Sequence, residues 1–292
     1  MYEIPQERSI LLRIRLVSLL LLLALLLPGC AAGQQTSSAI AATTAPVAEF
    51  AEAIVQGSGL SVTRIITDSV SCLHDYSLSV RQMEAVERCD VLLLSGAGLE
   101  DFMADVIAQA PKTIDCSEGI ALLANDEGTD PHIWLDPTRA AQMAANIADG
   151  LTELYPDHAG LFADNLQTLT QRLTQLQADG EAALGQLKTR ELITFHDGFG
   201  YLADAFDLTI LAAIEEEAGS EASAADLTEI IALVEQHQIP AVFTEANGSD
   251  AAASVIEAET GVPHFSLDMG FGNRDYFDAM IYNLETLKEA LS

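Results

Sequence analysis

Cations are scarce in this 292-residue chain: 13 lysines and arginines stand against 44 aspartates and glutamates, a formal net charge of −31. A surface of that sign repels nucleic acid and anionic lipid, and it concentrates small cations around the molecule. Cysteine is scarce as well. Beyond Cys30 there are only Cys72, Cys89 and Cys116, an odd count without a CxxC pair, which excludes a disulfide framework and a cysteine zinc site. One disulfide among those three would suit an exported protein, and the sequence does not select a pair. There is no HExxH and no GxSxG, so neither common hydrolase signature is present. No glycine-rich phosphate loop, internal repeat or low-complexity tract interrupts the chain.

Long apolar runs are nearly absent too. The exception is LVSLLLLLALLLP, preceded by Arg8, Arg13 and Arg15 and stopping at Gly29-Cys30. It falls short of the roughly 20 apolar residues a bilayer-spanning helix needs. A basic flank, a short apolar segment and a small residue at the cut describe an export signal. The LLPGC stretch resembles a bacterial lipobox, which makes 1–29 a lipoprotein signal peptide and Cys30 the lipidated first residue of the mature chain. The globular part is therefore expected outside the cytoplasm, held to the cell membrane by that lipid anchor alone.

What is present in abundance is alternation. Short apolar strands are predicted at 39–44, 62–67, 90–96, 112–117, 191–195, 208–214, 241–245 and 263–268. Helical spacing fills the gaps between them, including 47–56, a helix capped by Ser79, 99–110, 137–155, 200–206, 226–238, 251–261 and 276–291. Repeated strand–helix units imply parallel sheets covered by helices. Between the two series, Phe162, Leu166, Leu169, Leu173, Leu176, Ala183 and Leu187 recur by threes and fours, predicting one helix over 159–188. A coiled coil would use the same spacing, but the seam is only four heptads and Gly180 and Gly185 each weaken it by about 1 kcal/mol. The expected architecture is α/β: an N-terminal lobe (30–156), a rigid linking spine helix (157–189) and a C-terminal lobe (190–292), each lobe with a parallel sheet flanked by helices, in a monomer.

In open parallel sheets ligands bind beyond the carboxyl ends of the strands, and that rule sorts the six histidines. His74 follows strand 62–67, His132 lies in TDPHIWLDP after strand 112–117, and His196 directly follows strand 191–195. Asp268 ends strand 263–268. Singly, each histidine is more often a packing residue than a ligand. Jointly, two groups from each lobe converge on one cleft, and three imidazoles with a carboxylate make a four-coordinate shell suited to Zn²⁺. Asp75, Asp130, Asp136 and Asp197 stand beside these histidines and are candidates to hold their second ring nitrogens. His158, His237 and His264 fall elsewhere and read as structural or surface residues.

The segments SCLHDYSLSVRQM, DVLLLSGAGLE, DPHIWLDP, ITFHDGFGYLADAF and FSLDMG, with the spine helix between them, resemble the zinc/manganese-binding lipoproteins of bacterial ABC importers, the cluster A-I solute-binding proteins. The resemblance covers essentially the whole mature chain. It implies one divalent metal ion bound between two α/β lobes, delivery to a membrane permease, and the ligand set His74, His132, His196 and Asp268. In that family a histidine at the third position accompanies zinc and a glutamate manganese, so His196 points to Zn²⁺, with Mn²⁺ the alternative. Two departures stand out. Ser71-Cys72-Leu73 precede His74 where relatives often carry Asp-Pro, which brings the Cys72 thiol near the site. The histidine-rich loop of some zinc members has no counterpart between Ser117 and Asp130.

Other functions find less support. A zinc hydrolase needs an open coordination position, which Asp268 closes, and Glu245 at the end of strand 241–245 is the one tempting base, better suited to a salt bridge or to supporting a ligand. An organic-solute binder would rest on Trp134 and Tyr201 alone. A surface adhesin has no positive feature.

Overall fold

A computed structural model describes residues 40–67, 76–125, 128–215 and 222–292. The export segment, Cys30, Cys72, His74 and Asp75 lie outside those residues. Each apolar run of the N-terminal part contributes a strand to one parallel sheet: β1 (Ile40–Ala42), β2 (Val62–Arg64), β3 (Val91–Leu94) and β4 (Thr113–Asp115), in the order β2-β1-β3-β4. Val91, Leu92 and Leu93 are wholly buried, as expected of a strand covered on both faces.

Helix starts follow local chemistry. Pro46 sits in the first turn of α1 (Ala45–Val55), where its missing N–H has no intrahelical partner to lose. Ser79 and Gln82 close a capping box on α2 (Val80–Arg88), satisfying two donors reciprocally. The helix predicted over 99–110 is shorter: a 3₁₀ turn, Asp101–Met103, leads into a single turn, α3 (Ala104–Ile107). The cause is Glu100, which turns inward. Its carboxylate accepts the Ser95 N–H (2.7 Å), the Gly96 N–H (3.1 Å) and the Thr43 hydroxyl (2.6 Å), pinning the segment to the ends of β3 and β1. Burial pushes the Glu100 carboxyl up, against the pull of those three donors.

Several short elements, among them a 3₁₀ turn at Pro156–His158, escaped the sequence reading. A short antiparallel hairpin, β5 (Ala124–Asn125) with β6 (Gly128–Thr129), precedes the histidine loop, and Ile133–Leu135 wind into a 3₁₀ turn. Then α4 (Pro137–Leu154) begins, capped by Asp136, which accepts the N–H groups of Thr138 (2.7 Å) and Arg139 (3.2 Å).

The long helix α5 spans Ala159–Ala183, 25 residues, or roughly 37 Å at 1.5 Å per residue. It stops short of the predicted 188, where Arg190 donates to the Leu184 carbonyl (3.2 Å) and the chain turns. Phe162, Leu169, Leu173 and Leu176 are its buried seam. A Cβ at Gly180 would overlap the Phe206 ring, so this glycine, unfavourable to the helix alone, permits the second half to close on it.

The second sheet is again parallel. Strands β7 (Glu191–His196), β8 (Thr209–Glu215), β9 (Val242–Glu245) and β10 (His264–Leu267) order as β10-β9-β7-β8. Around it lie α6 (Gly200–Ala205), α7 (Ala224–His237), α8 (Ala251–Thr260) and α9 (Tyr276–Leu291). Helix α5 packs on α1 and α4 from one half and on α9 from the other. One apolar core runs unbroken from Ile40 and Leu92 through Trp134 and Leu173 to Phe243 and Leu287. A smaller core of Ile193, Phe195, Ile230, Val234 and Ile256 lies under α7 and α8. Among the described residues no helix is long and apolar enough to cross a membrane.

Candidate metal centre

His196 is the final residue of β7, so the strand itself fixes its backbone. His132 opens the 3₁₀ turn of the N-terminal half. The two rings meet: their Nε2 atoms are 3.5 Å apart, and their planes stand at 89°. Each residue is only 7% exposed. Two ligands at about 2.0–2.1 Å from a tetrahedral zinc ion lie roughly 3.3–3.4 Å from each other. The pair therefore spans close to one edge of such a tetrahedron.

Asp130 orients the first ring. Its Oδ1 accepts both the His132 backbone N–H (2.9 Å) and the ring Nδ1–H (2.8 Å). A carboxylate only accepts, so the neutral ring is held with Nδ1–H on Asp130 and Nε2 turned toward His196 as the atom left for a metal. Glu245 ends β9 with Oε1 3.7 Å from His196 Nε2. Asp268 follows β10 and is 1% exposed. Asn283 of α9 clamps its backbone at both ends, accepting the Asp268 N–H (2.7 Å) and donating to the Asp268 carbonyl (2.8 Å). Its carboxylate accepts the Gly270 N–H (2.8 Å) at Oδ1 and Arg274 Nη1 (3.0 Å) at Oδ2. Arg274 was missed by the sequence reading. The available signal was a cation six residues beyond a candidate ligand in a chain poor in cations.

Asp136 is spent elsewhere. Besides capping α4 it pairs with Arg139 Nη1 (2.5 Å), which also reaches Asp204 of α6 (2.7 Å). Asp before Pro at a helix start is a capping signature, and that role wins over orienting a histidine. Asp197 is half-buried in the turn after β7. The remaining histidines lie apart: His237 pairs with Glu191 (3.0 Å), His264 with Glu257 (2.6 Å), and His158 rests near Phe162. Cys89 and Cys116 are buried free thiols, and burial pushes both up.

Trp134 and Tyr201 are both fully buried, so neither forms the wall of an open cleft for an organic solute. Tyr201 Oη accepts the Leu123 N–H (2.9 Å). Trp134 packs, as its apolar ring suggests, and in addition donates Nε1–H to the Met269 carbonyl (2.8 Å). Among the described residues no three His, Cys, Asp or Glu side chains gather closely enough to hold a metal by themselves. His74 stands outside those residues.

Two α/β lobes with parallel sheets on one long helix, with a histidine at a strand end of one half meeting a histidine from a 3₁₀ turn of the other, define the two-lobed binding-protein class. Residues 40–290 match the family described as ZnuA, zinc-uptake complex component A, periplasmic, and the chain belongs to that family; it is a family of transport components, not of enzymes. The zinc-binding protein AdcA of Streptococcus pyogenes serotype M3 is 27% identical over 285 residues, 85% of this chain and 55% of its own length. The zinc-binding lipoprotein AdcA of Streptococcus pneumoniae R6 is 28% identical over 94% of this chain and 60% of its own. The chain thus spans little more than half the length of these curated relatives. Among solved structures, a crystal structure of ZnuA superposes with a TM-score of 0.79 at 25% identity, covering 87% of this chain and all of that one. The Zn(II)-bound ZnuA-like domain of Streptococcus pneumoniae AdcA gives 0.75 at 27% identity, covering 86% and 98%.

Proposed function

We propose that this chain captures a divalent transition metal, Zn²⁺ before Mn²⁺, between its two lobes and delivers it to the permease of an ABC importer. It does so as a monomer outside the cytoplasm, tethered by lipidated Cys30, with lobes 30–156 and 190–292 on the spine 157–189. His74, His132, His196 and Asp268 hold the metal, Asp75 and Asp130 support the first two ligands, and Asp197 and Glu245 lie beside the third. The observation that carries this reading is the pair of buried imidazoles, one from each half, with Nε2 atoms 3.5 Å apart. Imidazole donors suit a borderline-soft ion such as Zn²⁺, and the zinc-binding relatives agree.

Elemental analysis of purified mature protein, followed by competitive titration with Zn²⁺ and Mn²⁺, tests it. One equivalent of zinc held in preference to manganese is the expected result. No metal uptake at neutral pH would overturn the reading.

A second expectation concerns Gly200. A Cβ there would come 2.7 Å from Asp130 Oδ2, displacing the carboxylate that sets the His132 tautomer. Gly200→Ala is expected to weaken zinc binding by at least tenfold, in the range of about 10–100-fold seen when an outer partner is lost. Gly160→Ala, with open space around the new methyl, serves as the control and leaves zinc affinity unchanged. Competition against a chelator reads both.

A further inference from the structure

Asp268 is a carboxylate buried to 1% exposure, and such a group needs compensating donors or a counter-charge. One oxygen is satisfied by the Gly270 N–H; the other carries the Arg274 guanidinium at 3.0 Å. The two members of this ion pair differ sharply in freedom. The Arg274 side chain is 42% exposed while that of Asp268 is 1% exposed. The guanidinium can therefore withdraw toward water without burying its own charge, but the Asp268 carboxylate it leaves needs another cation in its place. In the same position its Cζ lies 3.9 Å over the Tyr282 ring, a face that attracts cations in its own right and so holds the guanidinium independently of Asp268.

We propose that Arg274 is the built-in counter-cation of the cargo site, holding the Asp268 carboxylate while no metal is bound and yielding it when metal arrives. This inference rests on the reading of Asp268 as a metal ligand. A guanidinium and a dication compete for the same oxygen, and whatever geometry lets them share it, they repel. A strongly acidic molecule draws divalent cations in; a fixed positive charge beside the last ligand limits how tightly they stay. The result is a carrier that fills readily and still releases its cargo.

Zinc affinity and release rate, measured on the full mature chain by competition with a chromophoric chelator, test the proposal. Arg274→Gln is expected to bind Zn²⁺ about tenfold more tightly and to release it correspondingly more slowly, an effect discounted for the partial exposure of the arginine. Arg274→Lys keeps the charge and stays near the parent affinity. A residue that merely props Asp268 would behave in the opposite way, since its loss would loosen the ligand and weaken zinc. Asp268→Asn separates the two layers of the argument. If it weakens zinc while Arg274→Gln leaves affinity unchanged or lowers it, the counter-cation proposal falls and the metal site stands. If Asp268→Asn has no effect on zinc, Asp268 is not a ligand and both fall together. Should Arg274→Gln fail to fold by circular dichroism, Arg274→Met carries the same expectation.

Discussion

Replacing His132 with alanine is expected to abolish stoichiometric zinc binding while leaving the fold intact. The imidazole is the N-terminal half's described contribution to the site, and its Nε2 lies 3.5 Å from that of His196. Loss of an outer partner typically weakens a metal site by about 10–100-fold, and loss of the ligand itself exceeds that. The substitution also leaves the Asp130 carboxylate without the ring N–H it accepts at 2.8 Å. Chelator competition reads the affinity directly. Thermal unfolding gives an independent measure, because a ligand bound only by the native state raises the midpoint with its free concentration. The parent protein is expected to melt higher in added Zn²⁺, and His132→Ala is expected to show no such rise. His264→Ala, whose ring pairs with Glu257 at the amino end of β10, retains the zinc response. If His132→Ala keeps it as well, the proposed site at His132 and His196 is not where zinc binds.

The grouping of His132 with His196 was legible because it depends on topology. Parallel strands place their carboxyl ends at one edge, and a histidine at such an end is readable from the alternation of apolar runs alone. The same logic located Glu245 and Asp268 at strand ends. Asp130 was also readable, as a carboxylate two residues from a histidine. Asp136 was misassigned because sequence proximity to His132 outweighed the cap signal of Asp-Pro, although the backbone N–H groups of Thr138 and Arg139 claim its carboxylate. The short form of α3 was illegible for a different reason. Apolar spacing over 99–110 says nothing of Glu100 folding back onto Ser95 and Gly96, a contact that interrupts a helix its neighbours would favour. The tie from Trp134 to Met269 lies farthest beyond a sequence reading, because it joins residues 135 apart and no local pattern encodes such a pairing.

Trp134→Ala is expected to produce the largest loss of stability of any single substitution near the site. The ring is fully buried, edge-on to His132 at 5.4 Å and tilted against Phe271 at 5.2 Å between centroids. Truncating a buried aromatic to alanine costs about 3–5 kcal/mol through lost transfer energy and the cavity left behind. The lost indole N–H also orphans the Met269 carbonyl, a buried acceptor worth about 1–3 kcal/mol when unsatisfied. These contributions overlap and do not simply add, but the midpoint of thermal unfolding is expected to fall on the order of 10 °C for a chain of this size. Trp134→Phe separates them, since it refills most of the volume and still lacks the donor, so its midpoint is expected between those of the parent and the alanine variant. The tie matters beyond stability, because Met269 adjoins Asp268 and the Trp134 carbonyl accepts the Tyr276 hydroxyl at 2.8 Å. Two hydrogen bonds thus join the turn that carries His132 to the segment that carries the carboxylate and to the start of α9. If the phenylalanine variant kept the parent's midpoint and zinc affinity while only the alanine variant lost stability, Trp134 would be a passive filler. If instead both lost zinc affinity and only the alanine variant lost stability, the indole N–H would be what holds the two halves of the site in register.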